Sequence, residues 1–234
     1  MNSISKKILI ISGRDNLGKD DEFNKKLLAE FNADNYDIVF DPRFRIIAQV
    51  NLFRNKYKRL PSIVYKTFRL LLYSKYYCKC FGDVLFYAGQ YIKKRNYFEF
   101  RYMIKCITLI YILKKNRKNE VAVLSRSAGG VIATKIASKF DVKLIICVGY
   151  PFKHPDKDDE PFRYVHLKSI STPVLIIQGE NDEYGGADIR TKYELSEDVE
   201  LFFVDATHNF RIGHQQWEKF IIKTKQALAQ AFKG

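Results

Sequence analysis

Cysteine is scarce in this sequence of 234 residues. The four present, Cys78, Cys80, Cys106 and Cys147, are too few for a disulfide scaffold and lack the spacing of zinc ligands. They read as reduced structural thiols, the pattern expected of a cytoplasmic protein, and the C-x-C of Cys78 and Cys80 is a weak metal signal. Long apolar runs are missing too. Behind M-N-S-I-S-K-K stand only four apolar residues, Ile8 to Ile11, too few for a signal-peptide core. The best membrane-span candidate, Met103 to Leu113, is interrupted by Lys105 and falls short of the ~18 apolar residues a span requires. Acidic charge is nearly absent from the middle of the chain. Between Asp41 and Lys118, 19 Lys and Arg face only Asp41, Asp83 and Glu99, a net of +16. The whole chain carries +14, so its remainder, with 21 basic and 23 acidic residues, has a net of −2. That middle also holds 17 of the 34 aromatic residues, so charge and rings are concentrated together.

What is present is enough for a full core: apolar residues make up 47% of the chain, which argues against disorder. The length suits a single domain, 1–234, carrying an insertion over about residues 44–100. Lys7 to Ser12 is a continuous apolar run closed by Gly13, as in a strand buried on both faces. Asp20 to Phe31 spaces Phe23, Leu27, Leu28 and Phe31 as an amphipathic helix with acids in its first turn. Further strands are expected at Tyr36 to Phe40, Val121 to Leu124, Lys143 to Val148, Val174 to Gln178 and Val199 to Val204. Helices are expected from Ala128 to Phe140 and from Gln215 to Phe232. Strands alternating with helices imply an α/β fold, a mostly parallel, doubly wound sheet with helices on both faces.

In such sheets ligands gather at the carboxyl ends of the strands. Those ends carry Gly13-Arg14, Ser125-Arg126-Ser127, Gly149-Tyr150, Gly179 to Asp182 and Asp205 to His208. A serine at a tight strand-to-helix turn has its Oγ lifted clear of the sheet, next to helix N–H groups that are free to bind an oxyanion. Crowding there calls for small residues two before and two after it. Ser127 has Ser125 and Gly129, whereas Ser125 would have Val123 and Ser127, so the motif centres on Ser127. The plain alternative is an ordinary junction with serine as a helix cap. Asp182, three residues past Gly179, is placed to orient a histidine, and His208 lies in the loop after the last strand. His154 and His166 follow Tyr150, and His214 flanks the last helix, so none of the three has such a position.

The segments S-R-S-A-G-G, V-G-Y-P-F, H-L and T-P-V-L-I-I-Q-G-E-N-D, followed by His208, resemble the small α/β-hydrolases related to dienelactone hydrolases. Within these the chain looks most like the proteins grouped with subunit three of the nonspecific lethal complex and its testis-expressed relative. The resemblance covers Val121 to His214 well and Lys7 to Phe40 loosely, and leaves out the middle third. It implies Ser127 as nucleophile, Asp182 as acid and His208 as base, in the chain order known for this fold. It also implies an oxyanion hole from the N–H groups of Ala128 and Arg14, with Ser12-Gly13 standing where the family usually has histidine-glycine. The implied reaction is acyl transfer from a small-molecule ester or thioester to water, with no cofactor and no metal. A catalytically silent scaffold that binds an anionic partner is the second reading. One rival motif is incomplete: Gly13 to Lys19 reads G-x-x-x-x-G-K, but Asp20 stands where a phosphate loop needs Ser or Thr.

Between Phe40 and Val121 lie 80 residues, far beyond the dozen or so a parallel crossover needs. The usual lid position of the superfamily, after Gly149, has 23 residues before Pro173, so any lid comes from the middle. Helices are expected at Ser62 to Tyr77, from the cap Asp83 through Ile92, and at Phe98 to Lys115. For residues 41–118 three readings stand: a solvated basic face, a lid or anionic-membrane surface, and a nucleic-acid site, the last without a recognised motif.

Overall fold

The computed structural model describes residues 6–13, 21–32, 36–78, 97–137 and 139–233. Six strands form one sheet: β1 (Lys7–Gly13), β2 (Asp37–Phe40), β3 (Glu120–Arg126), β4 (Val142–Val148), β5 (Val174–Gly179) and β6 (Val199–Val204). All are parallel, in the order β2-β1-β3-β4-β5-β6. The described helices are α1 (Asp21–Asn32), α2 (Pro42–Lys56), α3 (Ser62–Tyr77), α4 (Tyr97–Lys115), α5 (Ala128–Ala137), α6 (Ile189–Lys192) and α7 (His214–Ala231).

The apolar strands are continuous because both faces of the sheet are covered. Ile8, Ile10, Val121, Val123, Ile145, Cys147 and Ile176 turn to one face, where α4 and α5 bring Leu109, Leu113, Val131 and Ile136. Leu9, Ile11, Leu124, Ile146, Val148 and Ile177 turn to the other, against Leu27 and Phe31 of α1 and Trp217, Phe220 and Leu228 of α7. The period of two along each strand distributes side chains to both layers, and helical spacings of three and four supply the cover. Cys147, enclosed in the first layer, has its thiol pushed up to about 12 by burial. Such a thiol is inert packing.

Strand ends lie within two residues of the sequence-based expectation. Besides the short α6, two helices differ from it. The elbow helix α5 stops at Ala137, short of Phe140, because the chain turns at Lys139 and Phe140 to enter β4, and Phe140 packs on the core from that turn. Helix α2 was not expected, since P-R-F-R-I-I-A-Q-V-N-L-F-R-N-K has no apolar stripe at helical spacing. It pairs with α3 as a hairpin through rings: Phe53 stacks on Phe68 at 4.5 Å and meets Tyr57 and Tyr65 at 5.0 and 6.0 Å. The expected helix from Asp83 to Ile92 lies outside the described residues. Among the described residues no helix is long and apolar enough to cross a membrane.

The ends of β5 and β6 approach so closely that a Cβ on Gly179 would lie 2.3 Å from the Ala206 carbonyl oxygen. That atom also accepts the Asn181 N–H at 3.0 Å, so the two loops leave the sheet tied together. Gly179→Ala must therefore part them and should cost about 1–3 kcal/mol. Thermal unfolding should show a fall of several degrees in Tm.

Beneath α5 a polar cluster braces the helix against the loop after β4. Thr134 Oγ1 lies 2.7 Å from His166 Nε2, and Tyr150 Oη donates to the Arg163 carbonyl at 2.5 Å. Burial first, and then the charge of Lys135, push the His166 pKa down from 6.5 to about 4. Its folded pKa is thus below its unfolded one, and the unfolded chain binds the extra proton between these values. The stability from neutral His166 is full above pH 6.5 and is lost as pH falls toward 4. At its limit the loss is on the order of 3 kcal/mol. His166→Gln should flatten the decline of Tm across that window.

Candidate active site

Ser127 stands between β3 and α5 with φ 53°, in the left-handed region that a serine adopts only when its surroundings impose it. Two bonds impose it here: the Ser127 N–H donates to Val148 O on β4 at 3.0 Å, and Gly130 N–H donates to Ser127 O at 2.8 Å. The neighbouring strand has no room to relax. A Cβ on Gly130 would lie 2.9 Å from the Tyr150 ring and 3.0 Å from Cys147 Sγ, so crowding extends one residue past the glycine of the S-x-S-x-G pattern. Ser125 is fully buried and its Oγ donates to Ile146 O at 3.1 Å. It belongs to the sheet and faces no base.

At the adjacent sheet edge, Ser127 Oγ lies 3.0 Å from Nε2 of His208. His208 Nδ1 lies 2.9 and 3.1 Å from the two oxygens of Asp182, whose side chain is wholly buried. With Nδ1–H donated to the carboxylate, Nε2 is left as the acceptor of the serine proton. Ser127, His208 and Asp182 are therefore one connected line, drawn from β3, β6 and β5 at the carboxyl edge of the sheet. Gly149 closes the arrangement from below: at φ +64°, its missing Cβ leaves space for the rings of Phe210 and His208, 3.0 and 3.4 Å from where that atom would lie.

Three supporting residues escaped sequence reasoning. Gln178, the last side chain of β5, donates through Nε2 to Asp182 Oδ2 at 3.0 Å and to Gly185 O at 2.6 Å, and accepts the Tyr150 N–H at 2.8 Å. A glutamine ending the apolar run V-L-I-I-Q-G was the available signal. Tyr184 donates its backbone N–H to Asp182 Oδ1 at 2.8 Å and sets its ring 4.4 Å from the His208 ring. Buried Arg126 donates to Asn209 O at 2.7 Å, holding the histidine loop to the end of β3. None of these follows from spacing along the chain.

Helix α5 begins at Ala128, so its first N–H groups point out of the helix beside Ser127 without intrahelical partners. Arg14, the other expected donor, lies outside the described residues, as do most of Gly13 to Lys19 and Cys80. His214 opens α7, with Nδ1 3.5 Å from Glu218. His154 meets the Tyr184 ring edge-on at 5.6 Å and lines a cavity of about 1000 Å³ with Lys153, Tyr164, Glu183, Lys192 and Tyr193. Among the described residues, no three His, Cys, Asp or Glu side chains cluster to hold a metal ion.

A family model described as an alpha/beta hydrolase domain matches residues 93–232. The chain belongs to the α/β hydrolase family. Ser127, Asp182 and His208 all fall within the matched span, while α2 and α3 precede it. Among solved structures, a protein of the α/β hydrolase superfamily from Xanthomonas campestris pv. campestris is 13% identical, with 97% of each chain covered and a TM-score of 0.53. The Pyrococcus furiosus esterase PF2001 is 15% identical over 55% of this chain and 60% of its own, with a TM-score of 0.43. An alpha-beta serine hydrolase homologue from Coxiella burnetii is 21% identical over 55% and 58%, with a TM-score of 0.39. The likeness to the Xanthomonas protein, at 13% identity, is one of fold. No curated protein matches the chain.

Asp182→Asn turns one of the two acceptor oxygens into a donor facing Gln178, Tyr184 or His208, so the His208 tautomer is no longer selected, and any turnover that depends on it should fall by about 10⁴. Glu180→Gln, on the exposed side of the same loop, should leave kcat unchanged. Steady-state rates test both, with Tm unchanged in Glu180→Gln.

Proposed function

We propose that the chain is a serine hydrolase that transfers the acyl group of an ester or thioester to water. The observation that carries this reading is the line from Ser127 Oγ to His208 at 3.0 Å and on to the buried Asp182 at 2.9 Å. His208 Nε2 takes the Ser127 proton as Oγ adds to the carbonyl carbon, and the imidazolium that forms is held by Asp182. The oxyanion meets the N–H of Ala128 and, on the family pattern, that of Arg14, each donor typically contributing ~3 kcal/mol. His208 then protonates the departing alcohol or thiol. Water enters, gives its proton to His208 and releases the acid, returning Ser127 to its starting state.

The kinship with dienelactone-hydrolase-like proteins rests on the quoted segments around Ser127, Gly149 and Asp182. A cytoplasmic setting is supported by Cys78, Cys106 and Cys147, none of which forms a disulfide. The scaffold reading expects Ser127 Oγ to point away from His208, and the observed contact runs against it.

Ser127→Ala should abolish hydrolysis of a short p-nitrophenyl ester and labelling by a fluorophosphonate probe, a loss of up to ~10⁶ in kcat. Ser125→Gly should keep both. Labelling that survives Ser127→Ala and disappears in Ser125→Ala would move the nucleophile by two residues. Absence of labelling and turnover in the unaltered chain would leave the scaffold.

A further inference from the structure

The hairpin of α2 and α3 has an outer surface that the hydrolase reading does not use. Nine large apolar side chains are exposed among the described residues, and six of them, Leu52, Tyr57, Leu60, Ile63, Leu70 and Leu71, lie on this hairpin. Scattered single exposures are normal on a protein surface, whereas a concentration of this kind marks a contact surface. Leu52, Ile63, Leu70 and Leu71 are each more than 60% exposed. Their inward neighbours, Phe53, Tyr65 and Phe68, are consumed by the packing between the two helices.

The exposed residues are ordered around the helix. At about 100° per residue, Ile63, Leu70 and Leu71 fall within an arc of about 100° on α3. Lys66 stands just beyond one edge of that arc and Lys75 just beyond the other, both exposed. At the turn, Lys56, Lys58 and Arg59 surround Tyr57 and Leu60, and all five are exposed. From Pro42 to Cys78 there are nine Lys and Arg and no Asp or Glu. An apolar strip bordered by lysines, without a single acid, is the pattern of a helix lying in the interface of a lipid bilayer.

We propose that this hairpin docks the protein on a membrane surface rich in anionic lipid, the apolar strip entering the headgroup boundary and the bordering cations meeting the lipid phosphates and carboxylates. Charge decides among occupants. A second copy of the hairpin would bring nine like charges against nine, and a nucleic acid would leave the leucines and isoleucine of the strip without an apolar environment. An anionic bilayer satisfies both the charge and the apolar area.

The experiment is sedimentation of the full chain with vesicles of phosphatidylcholine alone and of phosphatidylcholine with phosphatidylserine, at low and high salt. Binding should appear with the anionic vesicles at low salt and fall at high salt, each basic residue near the surface contributing roughly fivefold. Lys66→Glu with Lys75→Glu should weaken it at least about 25-fold, two such factors multiplied. Ile63→Ser with Leu70→Ser and Leu71→Ser should weaken it while the charge is unchanged. These positions are exposed, so Tm and probe labelling of Ser127 should stay as in the parent. As a charge-matched control, Lys219→Glu with Lys233→Glu should retain binding. Equal binding to neutral and anionic vesicles, no binding to either, or binding that survives both hairpin variants would overturn the proposal. So would salt-sensitive binding to single-stranded RNA, lost in Lys66→Glu with Lys75→Glu, without vesicle binding.

Discussion

The carboxylate of Asp182 is enclosed in protein, and the site depends on how that enclosure is satisfied. A buried acid is tolerated only where donors converge on it. Here they come from three directions: the His208 ring, the Tyr184 N–H and the Gln178 amide. Each donor belongs to a segment that must be held in place for its own reasons. Gln178 also receives the Tyr150 N–H, tying the loop after β4 to the end of β5. The histidine loop is clamped by Arg126 and drawn to β5 by the close passage of Gly179 under Ala206. One buried acid thus links the ends of β3, β4, β5 and β6.

The serine side of the site stores its strain in the backbone. A residue at φ 53° with a Cβ is unfavourable by itself, and it persists because β3 and β4 flank it on one side and α5 starts directly on the other. That geometry turns Oγ away from the sheet and toward His208. Ser125, two residues earlier and chemically identical, lies flat in the sheet with its hydroxyl donated to Ile146 O. Position relative to the turn, not residue type, separates the two serines.

Sheet and hairpin follow different rules. The sheet hides its apolar residues on both faces, and its helices carry charge outward. The α2–α3 pair hides mainly a ring cluster around Phe53 and presents leucine, isoleucine and lysine to solvent. Its basic, aromatic composition stands apart from the near-neutral remainder of the chain, and it precedes the span shared with the hydrolase family. The chemistry proposed for the strand ends and the contact proposed for the hairpin surface thus lie on separate elements.

The strands were legible in the sequence because residues buried on both faces must be apolar without interruption, and the order of elements then dictates a parallel sheet. Ser127, Asp182 and His208 could be picked out for the same reason: each follows a strand, and strand ends of a parallel sheet share one edge. Helix α2 was hidden because its apolar residues follow no helical period, the aromatic ones being used against α3. The ties from Tyr150 to Gln178 and from Arg126 to Asn209 were hidden too, since hydrogen bonds between segments 28 and 83 residues apart leave no periodic trace, while Gln178 and Tyr184 meet Asp182 only through the local turn after β5. By itself, then, the sequence determined the succession of strands and helices along the chain and which residues follow the strands, because burial writes itself into local pattern. Only the tertiary structure decided which oxygens and nitrogens meet, and which apolar side chains stay outside, because those depend on distances between segments that the chain does not encode locally.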